Sequence, residues 1–331
     1  MNNDNHTYGY GPYRRGGMSW ENLLFLEELP PLQFSNQAYD LLRDYASVYN
    51  LYPASTSQPN PFTNKAMFII DTLTKMGVKY TIDIFTYEGN NVLWGTNDNS
   101  SHKLINIIAE PNPQATGPAI VFCAHHDVAN VHSENCQDNG ASVCNLLRLA
   151  SLIKNSNTES QRTIILFSDC EESGARGAKQ FACKSKKNKE NPSIIDHDIY
   201  GQISAVINLE LTGAGTVVWS DCESKKPEIE LHERLEHILG ETIPKLHTPP
   251  SDAIAFRKFS YPVLCIGILP EEDMTNKETW RLCHSLKDNI EGCSRKNMED
   301  FTEFLFNLTK TTTTEHGNNN GANEATGSMC T

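Results

Sequence analysis

The sequence predicts an α/β fold: a mixed, mostly parallel central sheet sandwiched by helices, in a single domain with no inserted lid domain. Three observations carry that expectation. Ala119–Cys123, Thr163–Phe167 and Val263–Ile268 are near-continuous apolar runs. A strand covered on both faces reads this way, whereas a half-exposed strand alternates. Segments with helical periodicity separate these runs, so strands and helices alternate along the chain. The chain has 331 residues and is 38% hydrophobic, with 13 Phe, 11 Tyr and 4 Trp, which is enough apolar mass for one sizeable core.

The elements follow in order. Residues 1–19 are rich in Gly, Tyr and Asn without a period, and residues 311–331 are low-complexity and almost free of aliphatics. Neither stretch can bury enough apolar surface to offset its ordering entropy, so both are expected as flexible tails around a domain at 20–310. Gln37–Tyr49 and Asn64–Lys75 read as amphipathic helices, the second stopped by Gly77. Lys79–Phe85, Val92–Trp94 and Leu104–Ala109 read as strands. The buried strand Ala119–Cys123 leads to a helix from about Gly140 to Ile153. Thr163–Phe167 leads to a helix from about Ala175 to Lys184. Ala205–Leu211 reads as a strand, Glu228–Leu239 as a helix and Ser251–Phe259 as a short helix. Val263–Ile268 is the last strand and Ser294–Leu308 the closing helix. Lys184–Glu190 (KSKKNKE), a mixed charge run, reads as an exposed loop.

Composition excludes several classes of function. With 28 basic against 41 acidic residues the formal charge is −13, which repels phosphates at long range, so no nucleic-acid partner is expected. No apolar stretch approaches about 18 residues, so no membrane span is expected. The first residues lack the basic-then-apolar order of a secretory leader. The 10 cysteines include no C-x-x-C pair, which argues against a structural zinc knuckle. They read as reduced thiols of an intracellular, cytoplasmic protein. Nothing in the pattern fixes an oligomeric state.

Open parallel sheets collect ligands beyond the carboxyl ends of their strands. That rim is where this chain places its imidazoles and carboxylates. Ala119–Cys123 runs into Ala124-His125-His126-Asp127, and Asp138-Asn139 stands before the next helix. Thr163–Phe167 runs into Glu171-Glu172-Ser173-Gly174, Ala205–Leu211 carries Asn208-Leu209-Glu210, and Cys283-His284 through Asp288 follows the last strand. Two divalent cations side by side repel each other, so a carboxylate must lie between them. Each then needs an imidazole and another carboxylate, with one further carboxylate left free as a base. His125, His284, Asp138, Glu172, Glu210 and Glu171 supply such a set. Adjacent residues in extended chain face opposite ways, so Glu171 and Glu172 can divide into ligand and base. Asp127, two residues after His125, can accept the second imidazole N–H and fix the tautomer, and Asp288 can do the same for His284. His126 points away from His125 and reads as a neighbour.

The ordered series H-x-D, D-N, E-E-S-G, N-L-E and C-H-x-x-x-D resembles the M28 family of zinc aminopeptidases, within the wider M20/M28 group of co-catalytic metallopeptidases. The likeness runs from about Ala119 to Asp300. It implies the zinc-exopeptidase (phosphorylase/hydrolase-like) version of the fold and two Zn2+ ions, other divalent metals being possible. It implies that His125 and Glu210 bind one ion, Glu172 and His284 the other, and that Asp138 bridges them across a cis Asp138–Asn139 peptide. It makes Glu171 the general base, with Asp127 also in the catalytic set. The implied substrate is a peptide with a free N-terminus, whose scissile bond is attacked by a metal-activated water. Two departures stand out: Glu210 occupies a place usually held by Asp, and an export signal common in the family is not seen.

Three rivals are weighed. M20-type carboxypeptidases carry a large inserted domain before the last His, and the stretch from Glu210 to His284 is too short for one. A glutaminyl cyclase-like enzyme would lose part of the two-metal set and the D-N pair, both present here. An inactive binding module would lose ligands. His232 and His237, in H-E-x-x-x-H, are spaced one residue too far for a zinc helix and read as solvated surface. His132 is a possible cleft residue. Thr212–Pro250 and Leu269–Arg281, with Trp280, are candidates for the walls of a specificity pocket.

Overall fold

The apolar runs become strands buried on both faces. Within the computed structural model, residues 35, 37–48, 63–88, 101–130, 132–157, 159–190, 198–247, 249–276 and 283–310 are described. The strands are β1 (Lys79–Glu88), β2 (Ser101–Glu110), β3 (Ala119–His125), β4 (Thr163–Ser168), β5 (Ile203–Leu209), β6 (Val217–Ser220) and β7 (Val263–Leu269). The helices are α1 (Ala38–Ser47), α2 (Asn64–Met76), α3 (Ala141–Asn155), α4 (Arg176–Glu190), α5 (Lys226–Leu239), α6 (Asp252–Lys258), α7 (Glu271–Asn276) and α8 (Arg295–Thr309). All of them fall in one compact unit, Asn36–Thr331.

Side chains of the central strands sort by parity. In β3, Ile120, Phe122 and Ala124 join the cluster that contains residues of α1, α2, α3, α5 and α8. Ala119, Val121 and Cys123 join the cluster built with α4 and α6. β4 splits the same way, Ile165 and Phe167 against Ile164 and Leu166. This period of two between two helical layers is why these strands read as unbroken apolar runs. Phe122 and Phe167 are fully buried, and truncating either to Ala would cost about 3–5 kcal/mol.

The sheet order is β1-β2-β4-β3-β5-β7-β6. The inner four, β4-β3-β5-β7, are parallel, while β1, β2 and β6 pair antiparallel on the flanks. The chain passes from β3 to β4 on one side and then crosses to β5 on the other. The strand order therefore reverses at β3, which opens a crevice at its carboxyl end. In register, His125 lies opposite Ser168, so β3 and β4 end level.

Helix ends follow local chemistry. Thr63 caps α2 by accepting the Ala66 N–H at 3.0 Å, and Gly77 ends it at φ 60, a left-handed turn that glycine adopts without strain. Ser294 caps α8 by accepting the Asn297 N–H.

Several expectations need correction. The sequence reading contains neither β6 nor α7: β6 is an edge strand of only four residues, and α7 is a short acidic helix. The Lys184–Glu190 charge run is not a loop but the last turns of α4, whose Phe181 and Ser185 face inward at helical spacing. His232 is not solvated: it is buried on α5 and hydrogen-bonded through Nδ1 to Ser220 Oγ at 2.8 Å, while His237 is exposed. Val92–Trp94, Trp280 and the stretches 1–19 and 311–331 lie outside the described residues.

Candidate metal centre

All site residues but His284 stand where the chain leaves a strand or enters a helix. His125 is the last residue of β3, and Glu210 follows β5 directly. Glu171 and Glu172 lie on the turn between β4 and α4. Asp138 lies in a single irregular turn, Cys136–Gly140, ahead of α3, and the Asp138–Asn139 peptide is cis. His284 sits on the loop between α7 and α8. The turns are tight: Cys170 before Glu171, Leu211 after Glu210 and His284 itself have φ of 61, 55 and 59. Left-handed backbone in L-residues costs about 1 kcal/mol or more each, so packing and hydrogen bonds hold these turns in place.

Three overlapping groups of nitrogen and oxygen donors result among the described residues, one of them His125–Glu171–Glu172. His125 Nε2 lies 3.2 Å from Asp138 Oδ1 and 3.6 Å from Glu210 Oε2. His284 Nε2 lies 3.3 Å from Asp138 Oδ2 and 2.9 Å from Glu172 Oε2. Asp138 thus presents one oxygen to each imidazole. His125–Asp138–Glu210 and Asp138–Glu172–His284 each bring their ligand atoms within 4.8 Å of one another. Together with Glu171 these side chains line a cavity of about 220 Å3, closed on other sides by Pro249, Pro250, Ser251 and Cys283. The sequence reading brought all six of those acidic and imidazole groups to one rim, and the structure places them in one cavity.

Supporting contacts fix the donors. His125 Nδ1 lies 3.2 Å from the Asp127 backbone carbonyl and 3.3 Å from Asp127 Oδ1. The Asp127 carboxylate also accepts the N–H groups of Glu171 and Glu172, at 3.0 and 3.1 Å. One carboxylate thus orients an imidazole and the Glu-Glu turn at once. Asn139 Nδ2 donates to Glu210 Oε2 at 2.8 Å, and Asn208 Nδ2 donates to Glu210 Oε1 at 3.1 Å. Asn208 could have been foreseen, because it shares a strand face with Glu210 two residues on. Asn139 could not, since its partner is 71 residues away. Asp288 does not buttress His284 as expected. Its carboxylate accepts the backbone N–H groups of Gln137 and Asp138 instead. His126 is buried and bonds the Ile105 carbonyl at 3.0 Å, away from the cavity as expected. His132 is exposed and is not among the described residues that line the cavity.

The electrostatics ask for cations. The described cavity wall contains no lysine or arginine. Burial works against a charged His125, yet Glu210, Asp127 and Asp138 outweigh it and push its pKa well up. Hydrogen bonds to Asp138 and Glu172 push His284 up to about 10. Burial, then the like charges of Glu210, Asp252 and Asp127, raise Glu171 against the pull of His125. Burial also raises Glu210. Asp138, despite its burial, is held low by the two imidazoles. Among the described residues, nothing hydrogen-bonds the buried Glu172 Oε1. A crowd of carboxylates around two imidazoles, with an orphaned oxygen among them, fits a pair of divalent ions with mixed nitrogen and oxygen ligands. Beneath the floor, fully buried Asp252 accepts the Ser168 hydroxyl and the Cys123 thiol, and burial pushes its carboxyl up to about 7.

Comparisons with known proteins bear on family and fold. A family model described as Peptidase family M28 matches residues 106–309. A curated relative named vacuolar membrane protease, from Candida tropicalis, is 28% identical over 198 residues. That match takes in 60% of this chain but 18% of the relative, so the chain spans about a fifth of that protein's length. Among solved structures, a zinc aminopeptidase from Bacillus subtilis has a TM-score of 0.62 at 11% identity, covering 85% of this chain and 97% of that one. A glutaminyl cyclase from Porphyromonas gingivalis has a TM-score of 0.61 at 18% identity, covering 83% and 98%. At those identities the likeness is one of fold.

Proposed function

The chain belongs to peptidase family M28, and on that premise we propose that it is a metal-dependent aminopeptidase that removes N-terminal residues from peptides. The observation that carries this reading is the placement of Asp138, with Oδ1 facing His125 at 3.2 Å and Oδ2 facing His284 at 3.3 Å. In this reading His125 and Glu210 would hold one zinc, His284 and Glu172 the other, and Asp138 would offer one oxygen to each side. Other divalent ions suit the same donors. Residues 20–310 are taken as the peptidase domain, with 1–19 and 311–331 as tails.

Two bound divalent ions supply Lewis-acid polarisation and a water of lowered pKa. The protein supplies the rest. Glu171 is the spare carboxylate of the rim, held over the cavity by the bond from its N–H to Asp127. It takes the proton of the attacking water and returns it to the leaving amine. Asp127 keeps His125 in one tautomer and orientation. The carboxylate-rich wall favours a substrate that brings a positive α-ammonium group, which is the argument for a free N-terminus.

Location follows less directly. The described cysteines are not joined to one another in disulfides, and the location proposed is intracellular, in the cytoplasm. Among the described residues no helix is long and apolar enough to cross a membrane. Cell fractionation decides between that reading and the vacuolar membrane named for the Candida tropicalis relative.

Hydrolysis of a leucine chromogenic amide, of its N-acetylated form and of an N-terminal glutamine peptide tests the function. An aminopeptidase cleaves the first, spares the second and leaves the third uncyclised. Cyclisation of the glutamine peptide without amide hydrolysis would favour the glutaminyl cyclase reading, which the shared fold supports. No turnover and no bound metal would leave a binding module.

A further inference from the structure

The loop that carries Asp138 and the loop that carries His284 lie about 150 residues apart in sequence, like the hydrogen bond that joins them at Asp138 and Asp288, yet they are laced together. Asn130 Nδ2 donates to the His284 carbonyl at 3.2 Å, and the Ser133 hydroxyl donates to the Asp288 carbonyl at 2.9 Å. The Ile290 N–H donates to Glu134 Oε2 at 2.8 Å, and Gln137 Nε2 donates to the Gly292 carbonyl at 3.2 Å. These contacts involve neither the backbone nor the side chain of Asp138. The Asp288 carboxylate does reach it. Oδ1 accepts the Gln137 N–H at 2.5 Å and Oδ2 accepts the Asp138 N–H at 3.1 Å, with the Cys136 N–H as a third neighbour. Asp288 is 1% exposed, so water does not compete for this cradle.

The two halves of the centre depend on such lacing unequally. His125 and Glu210 are placed by strand ends, and Glu210 has its own clamps in Asn139 and Asn208. His284 has no strand or helix under it. It directly precedes a short turn, Ser285–Asp288, closed by the Asp288 N–H to the Ser285 carbonyl at 3.2 Å. Pinning Asp288 to the Asp138 backbone therefore sets the distance between the His284 imidazole and the Asp138 carboxylate. We propose that Asp288 is a positioning residue that aligns Asp138 with His284, so that the ion at the His284–Glu172 position, far more than the ion at His125–Glu210, depends on it. This rests on the two-metal reading above.

Zinc binding tests it without recourse to activity. The full chain is stripped by chelator, checked for fold by circular dichroism, and titrated with zinc against a chromophoric chelator. Asp288→Asn keeps the shape but puts an amide where an N–H expects an oxygen. Glu134→Gln perturbs the same pair of loops without touching Asp138. Wild type takes up two zincs. Asp288→Asn keeps its tighter site and weakens the other 10–100-fold, and Asp288→Ser shows the same selective loss. Glu134→Gln leaves both sites as in wild type. Two unchanged sites in both Asp288 variants would overturn the inference alone, as would equal weakening in Asp288→Asn and Glu134→Gln. Failure of both Asp288 variants to fold would also overturn it, since the residue would then be structural. Fewer than two zincs in wild type would sink the two-metal reading itself and this inference with it.

Discussion

His125 and His284 play matching parts on opposite sides of Asp138 but are held in opposite ways. His125 ends a fully buried strand, its side chain is 1% exposed, and its Nδ1 is engaged by Asp127. His284 lies on a loop, its side chain is 48% exposed, and its backbone is left-handed at φ 59. One half of the centre is organised by folding of the sheet; the other is organised by hydrogen bonds between loops. A ligand on a strand end is fixed by the same contacts that build the core, so its loss is felt by the whole fold. A ligand on a loop can be lost with little cost to the rest.

Substitutions can break or sharpen that contrast. The largest effect on turnover is expected from Glu171→Gln, which touches neither histidine. The rate falls by about 10^3-fold, within the span typical of a general base, while both zincs and the fold remain. Steady-state kinetics with metal analysis checks this, and a rate near wild type would remove Glu171 from its role. Next come the two histidines. His125→Ala leaves Asp127, Asp138 and Glu210 without their buried imidazole, so metal-free stability falls by about 2–4 kcal/mol and zinc is lost. His284→Ala loses one zinc and also destabilises the metal-free protein, but by less than His125→Ala, because its imidazole is half exposed and its ion pairs with Asp138 and Glu172 are screened by water. Equal destabilisation in the two variants would erase the contrast.

Asp127→Asn sits below these in effect. It keeps one acceptor oxygen but loses the charge on the second imidazole nitrogen, and zinc affinity at the His125 position drops about 10–100-fold. Competition titration reads that loss, and an unchanged affinity would make Asp127 a bystander. Leu286→Ser is the smallest. Leu286 is 70% exposed two residues after His284, and stability changes by no more than about 0.5 kcal/mol in urea unfolding.

The same contrast explains what the sequence made legible. The four central strands were plain because both of their faces are buried, and the residues just past their ends could be read straight off the rim. Glu171 and Glu172 needed no more than that, whereas Glu210 was read inside a strand that ends one residue before it. α4 was cut short because beyond Ala182 its only buried residue is Ser185, and the rest of that stretch is a lysine-rich face with no apolar period. β6 is four residues long and pairs only at the sheet edge, where local pattern is weakest. The role of Asp288 was misassigned because its spacing to His284 suggests a local partner. Its actual partners, the backbone of Gln137 and Asp138, lie about 150 positions away and leave no mark in side-chain pattern. Periodicity reports burial; it does not report which distant amide a carboxylate will meet.

Anomalous X-ray scattering at the zinc edge, from crystals of the zinc-loaded protein, tests the account most directly. The account predicts two peaks about 3.5–4 Å apart, one against His125 and Glu210 and the other against His284 and Glu172, with Asp138 between them. A single peak, or two peaks that Asp138 does not separate, would contradict it.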